Sequence, residues 1–89
     1  MPAISMFYGV IVYMYFFDNK QHSLPHIHVD YQDSSAIISI ESGEVLDGSI
    51  PVSKHNLVKA WIEIHREELL ANWSLAIKGE PLFKIEPLK

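Results

Sequence analysis

Three of the five histidines in the sequence lie within seven residues, in the segment HSLPHIHVDY. If His26 and His28 lie on a β-strand, both imidazoles project from the same face, because side chains alternate across a strand. Zinc and similar divalent ions bind imidazole and carboxylate groups, and three such ligands leave one coordination position for water. The segment therefore predicts a metal site built on these two histidines. The third ligand would be one of three residues: His22, Asp18 or Asp30.

The same histidine pair supports two other interpretations. As general base and general acid, two imidazoles could cleave a phosphodiester without a metal, with Lys20, Lys54 or Arg66 neutralising the phosphate. Alternatively, the histidines are only the polar face of a strand and are hydrogen-bonded to tyrosine or backbone groups. The sequence alone leaves all three interpretations open.

The two remaining histidines fall in a predicted helix. His55 lies in its first turn, where we expect it to be exposed. His65 lies among apolar helix residues, so a partly buried and hydrogen-bonded imidazole is expected there. It would join the histidine pair only if the helix crossed the same face of the sheet. Trp61 and Trp73 on this helix are expected to anchor a core or an interface.

The elements that must position these residues are several strands followed by one helix. Alternating apolar residues and turn residues predict strands at about 9–17, 26–31, 36–40 and 44–50.

The C-terminal half of the sequence predicts one long helix. Residues 54–77 contain no glycine or proline, and apolar residues recur every three or four positions. Ser53 is the expected N-cap, and Gly79 the expected C-terminal stop. The C-terminal residues 80–89 should dock on the domain. We predict a single α+β domain over residues 1–89, an antiparallel meander of three to four strands with the helix packed on it in two layers.

Composition excludes several classes of protein. The sequence contains no cysteine, which removes disulfides, thiolate metal sites and cysteine nucleophiles, fits a reducing compartment and predicts a cytoplasmic location. The net charge of −4, with basic residues scattered singly, argues against strong nucleic-acid binding. The apolar run Met6–Phe17 is shorter than the about 20 residues of a membrane-spanning helix. Because both faces of the predicted strand 9–17 are apolar and the chain is short, we expect a homo-oligomer.

Four segments together resemble the family called domain of unknown function 4160, a family of small prokaryotic proteins: SMFYGVIVYMYFFDNKQHSLPHIHVDY, GEVLDGSIP, AWIEIHREELLANW and GEPLFKIEPL. The hallmark is an aromatic strand, a loop and then Pro-His-x-His-Val, here Pro25, His26, His28 and Val29. A glycine-containing strand and Trp73 near the end of the helix also fit. The resemblance runs over nearly the whole chain.

This resemblance implies a protein partner more directly than it implies a catalytic activity. Members are often encoded beside a second small family, domain of unknown function 2442, in a pairing that resembles a toxin–antitoxin module. It implies a small protein partner encoded nearby and, as one role, a histidine-based ribonuclease-like toxin. The motif carries over His26 and His28, and with them His22. Relatives often have a basic residue where this chain has Asp30, which favours His22 and Asp18 as the further ligands.

Three hypotheses for function follow. The first is a toxin–antitoxin-like component whose histidines perform acid–base or metal-assisted phosphodiester chemistry. The second is a protein-interaction module without catalysis. The third is a domain that binds a divalent metal such as zinc, also without catalysis.

Overall fold

The computed structural model describes residues 3–14 and 24–88. These residues form five strands and one helix: β1 (Ala3–Phe7), β2 (Val10–Tyr13), β3 (His26–Tyr31), β4 (Ser34–Ser39), β5 (Val45–Ser49) and α1 (Val52–Ile77). The strands pair in sequence order, and each pair is antiparallel. The predicted α+β meander with a long C-terminal helix is confirmed, with five strands instead of three or four.

The additional strand, β1, precedes the long strand that the sequence predicts at 9–17, and β2 lies inside that predicted range. Tyr8 and Gly9 both have positive φ, 52° and 79°, which is the backbone of a tight hairpin turn that matches the twist of its strands. The apolar run is therefore split into the hairpin β1–β2. The end of the predicted strand, residues 15–17, lies outside the described residues.

One face of the sheet forms the core with α1. It presents Val12, Ile27, Val29 and Ile38, all fully buried. The rings of Phe7 and Trp61 lie on the same side, with centroids 5.3 Å apart, which places the helix over this face. Two apolar layers thus enclose the core, as the apolar stripe of α1 requires.

Both ends of helix α1 are defined by backbone hydrogen bonds. Its N-cap is Pro51, whose carbonyl accepts the first helical hydrogen bonds, so the prediction of Ser53 as N-cap is wrong. Gly79 follows the helix with φ of 72°, and the N–H of Glu80 donates to the Leu75 carbonyl at 2.9 Å. This is a Schellman ending, and Gly79 as the predicted stop is confirmed. The helix is kinked at His65, whose φ and ψ are −113° and 24°.

Beyond α1 the chain returns along the sheet to its first strand. The N–H of Ile85 donates to the Ile4 carbonyl at 2.9 Å, and Ile85 is buried. This segment therefore covers part of the edge strand β1 and adds to the core. No helix among the described residues combines the length and the apolar character needed to cross a membrane.

Candidate functional site

The strand β3 places His26 and His28 on one face of the sheet. Ile27 and Val29 alternate with them and point into the core on the other face. The two imidazole centroids are 5.2 Å apart, and the rings meet edge to face at 65°. His28 is flanked across the sheet by Tyr13 of β2 and Ile37 of β4. The prediction that the histidines share a face therefore holds in three dimensions.

His26 is held in one orientation. Its Nδ1–H donates a hydrogen bond to the Leu24 carbonyl at 2.8 Å, since a carbonyl oxygen can only accept. In the neutral ring the lone pair then belongs to Nε2. The ring also contacts the indole of Trp73, with centroids 4.8 Å apart, and only 3% of the residue is exposed. His26 is thus a buried imidazole whose tautomer and position are fixed by its surroundings.

The start of β3 is held by the end of β4 and by the helix. The N–H of Ile40 donates to the Pro25 carbonyl at 3.1 Å. Arg66 of α1 in turn donates from Nε to the Ile40 carbonyl at 3.1 Å. A chain of hydrogen bonds therefore connects the guanidinium to the peptide that immediately precedes His26.

Solvent reaches the histidine pair poorly. His28 is half-buried, and its Nε2 atom has almost no exposed surface. A bulky polymer could reach either imidazole only if protein groups moved aside. The geometry is therefore better suited to a small ligand than to direct attack on a chain of nucleotides.

Several predicted site residues are not brought to this pair. His22, Asp18 and Lys20 lie outside the described residues. Asp30 follows on the same face of β3, but no group of three histidine, aspartate or glutamate side chains within residues 3–14 and 24–88 is arranged to hold a metal ion. Asp30 therefore does not complete a metal site with His26 and His28.

Two of the three cations proposed to neutralise a phosphate have other partners. The Lys54 ammonium lies over the Tyr31 ring, 5.1 Å from its centroid. Arg66 donates from Nη1 to the Glu63 carboxylate at 3.1 Å, in addition to its bond to β4. Neither side chain is engaged with the histidine pair by these contacts.

The remaining histidines have structural partners. His55 is half-buried and its Nε2–H donates to the Gly43 carbonyl at 2.9 Å, so the expectation of an exposed side chain is wrong. This bond ties the first helical turn to the β4–β5 turn. His65 is half-buried as expected, with its ring 5.8 Å from that of Trp61 and its Nδ1 paired with the Glu68 carboxylate.

The residue of this site that sequence reasoning missed is Trp73. It was predicted as a core or interface anchor, and it is buried, but its indole is also a wall of the His26 environment. Helical periodicity predicts which face of a helix is buried. It does not predict which strand residue each buried side chain contacts. No local signal could have paired it with His26.

Fold and site together define a two-layer α+β protein with a strand-borne histidine pair buried beside a tryptophan. The family model described as Domain of unknown function (DUF4160) matches residues 9–74, which include the Pro-His-x-His-Val motif and most of α1. The chain belongs to this family. No curated protein and no solved structure matches the chain.

Proposed function

We propose that the protein binds a divalent transition-metal ion through His26 and His28. The observation that carries the proposal is the hydrogen bond from His26 Nδ1–H to the Leu24 carbonyl. Metal-binding histidines commonly donate their second ring N–H to a carbonyl or carboxylate, which fixes the ring and directs the other nitrogen at the ion. The neighbouring imidazole of His28, 5.2 Å away between centroids, supplies a second ligand of the same kind.

Metal binding is favoured over metal-free acid–base chemistry by burial and charge. A general base must reach the proton that it removes, and His26 is only 3% exposed. A phosphate also needs a cation nearby, and the two proposed cations within the described part of the chain, Lys54 and Arg66, are engaged with other groups. Bound ions, by contrast, are often held by side chains that solvent hardly touches.

Two histidines alone bind an ion weakly, so the proposal includes further ligands. His22 and Asp18 remain the candidates, because they carry the right donor atoms and precede β3 in the sequence. With water as one ligand, such a site could support metal-assisted hydrolysis of a phosphodiester small enough to reach the buried imidazoles. We place the protein in the cytoplasm, as the absence of cysteine supports.

The test is the metal content of protein purified without an affinity tag, measured by elemental mass spectrometry. We expect about one zinc or similar ion per chain, lost in the double variant His26→Gln/His28→Gln. His55→Gln is the matched control, because it also removes an imidazole bonded to a carbonyl, and it should retain the ion. His22→Gln and Asp18→Asn then identify the further ligands. A wild-type chain that neither contains nor takes up zinc, cobalt or nickel would refute the proposal.

A second candidate function is a protein-interaction module. The sheet face opposite α1 carries Ile11, Tyr13 and Ile37, all half-buried, and Met6, which is 61% exposed. Apolar side chains grouped on one face of a sheet are typical of a surface that another molecule covers. The small protein encoded nearby, or a second copy of the chain, would be the partner.

This second candidate makes a different prediction. Ile37→Asp should abolish binding of the neighbouring gene product in a co-purification assay, while His26→Gln, at a buried position, should leave it intact. Glu67→Gln, an exposed change on α1, serves as the control. Loss of binding in the histidine variant alone would show that the site and the interface coincide.

A further inference from the structure

Residues 82–88, here called the tail, are bound by side chains of α1 and by the backbone of β1 at Ile4. The surface of α1 and β1 that contacts the tail is here called the groove. The buried side chain of Asn72 makes two hydrogen bonds to the backbone of Phe83, one to its carbonyl at 2.8 Å and one from its N–H at 3.1 Å. Trp61 donates from Nε1 to the Glu86 carbonyl at 2.7 Å. Both side chains are completely buried, and both recognise main-chain atoms of the tail.

The side chains of the tail meet the domain at a spacing of three residues. Leu82, Ile85 and Leu88 pack against the core, while Lys84 and Glu86 are exposed. A spacing of three is the repeat of an extended polyproline II segment; Pro81 precedes this stretch and Pro87 lies within it. The groove thus holds the tail through hydrogen bonds to its backbone and through packing of its apolar side chains, which is a common mode of peptide recognition.

The connection between α1 and the tail is short and lies in open space. An added Cβ at Gly79 would meet no atom within 4 Å. The chain reverses there through the positive φ of Gly79 and the hydrogen bond from Glu80 to Leu75. A change of backbone conformation at Gly79 is therefore not opposed by neighbouring atoms at that residue.

We propose that the groove also accepts the tail of a second copy of the chain, so that two copies exchange residues 82–88. A second copy supplies the identical segment, and every contact to Asn72, Trp61 and Ile4 can form again between chains. The exchange is independent of the histidine pair and goes beyond the function proposed above.

The balance between folding back and exchanging depends on concentration. A tail held by a short hinge has an effective concentration of the order of 1 mM at its own groove. Exchange should therefore become substantial at several hundred micromolar, and at lower concentrations when the hinge is biased open. Gly79→Ala biases it open, because alanine disfavours the left-handed backbone that reverses the chain.

The exchange can be tested in full-length protein, because the chain contains no cysteine. Met6 of β1 and Lys84 of the tail line the same cleft, and both are exposed. A chain carrying Met6→Cys and a chain carrying Lys84→Cys are mixed at about 0.5 mM and treated with a short thiol-specific crosslinker. We expect a covalent heterodimer on a denaturing gel, at a yield that rises with protein concentration.

Three controls keep the result decisive. Both substitutions in one chain should crosslink internally, which shows that the crosslinker spans the cleft. Glu67→Cys on the exposed surface of α1 replaces Lys84→Cys to measure chance collisions. Gly79→Ala in the Lys84→Cys chain should raise the yield severalfold, because alanine disfavours the positive φ that the folded-back chain needs at this position. A heterodimer yield equal to that of the Glu67→Cys mixture, while the internal crosslink forms, would overturn the proposal.

Discussion

The rings of His26 and Trp73 meet with centroids 4.8 Å apart and planes inclined by 58°. His26 begins β3, whereas Trp73 lies in the second half of α1, beyond the kink at His65. The candidate site is therefore supported by a part of the helix whose direction depends on that kink. A displacement of this half of the helix would change the environment of His26 directly.

The contact between these rings makes Trp73 a reporter for the proposed metal site. Binding of Ni²⁺ or Cu²⁺, ions that quench indole emission at short range, should reduce the tryptophan fluorescence of the wild type. The chain has two tryptophans, and Trp61 contacts Phe7 and His65 instead of the pair. We expect Trp73→Phe to remove most of the quenching and Trp61→Phe to preserve it. Undiminished quenching in Trp73→Phe would place the ion elsewhere.

The attachment of the tail should depend strongly on Asn72. Asn72→Ala leaves the N–H and the carbonyl of Phe83 without their partner and creates a small cavity, at a cost of about 2–4 kcal/mol in the free energy of unfolding. Asn72→Asp keeps the acceptor but loses the donor and buries a charge, so it should be no better. Urea denaturation measures the loss, and hydrogen exchange at the Ile85 amide reports release of the tail. The exposed change Ser74→Ala should alter stability by less than about 0.5 kcal/mol.

The sequence permits prediction of the fold where its patterns are local. Alternation in His26–Tyr31 separates a histidine face from a core face, and β3 has this arrangement. Periodicity over residues 54–77 and the glycine at position 79 indicate the helix and its end. The hairpin β1–β2 was missed because Tyr8–Gly9 lacks the asparagine or aspartate that usually marks such a turn.

The surroundings of the histidines depend on contacts between residues far apart in the sequence. The pairing of Trp73 with His26, and the hydrogen bonds from Arg66 to Ile40, follow from how α1 lies on the sheet. The helical pattern does not determine this placement, and it does not reveal the kink at His65. The two imidazoles could thus be predicted from the sequence, but the groups that orient and bury them could not.

Gly48 and Gly79 both have positive φ, but substitution by alanine should lower the stability of the protein by different amounts at the two positions. Gly48 has φ of 76°, and a Cβ there would lie 2.4 Å from the Ser35 carbonyl oxygen, a backbone atom of the neighbouring strand. Gly48→Ala must therefore push β5 away from β4 and should cost about 3 kcal/mol or more. Gly79→Ala meets no atom within 4 Å and should cost only the about 1 kcal/mol of a left-handed alanine.

These two variants can be compared by urea denaturation under identical conditions. The two midpoints should be well separated, with Gly48→Ala the less stable. Similar midpoints would show that the edge strand β5 moves at little cost, which would make its pairing with β4 a weak part of the sheet.

Arg66 should contribute to the candidate site as well as to stability. Its Nε–H bond to the Ile40 carbonyl holds the strand end that in turn binds the Pro25 carbonyl, next to His26. Arg66→Met keeps the apolar stem and removes this bond, so we expect a loss of about 1 kcal/mol in stability. The metal affinity of the proposed site should also fall several-fold, because the His26 imidazole is less firmly positioned in this variant.

The matched control for this variant is Glu63→Gln, which weakens only the ion pair between Glu63 and Arg66. The Glu63 side chain is 73% exposed, and an exposed ion pair contributes less than about 1 kcal/mol. Glu63→Gln should therefore leave both the unfolding free energy and the zinc affinity near the wild-type values, measured by urea denaturation and by calorimetric titration. Equal losses of metal affinity in the two variants would mean that surface charge, and not the hydrogen bond to Ile40, is what Arg66 supplies.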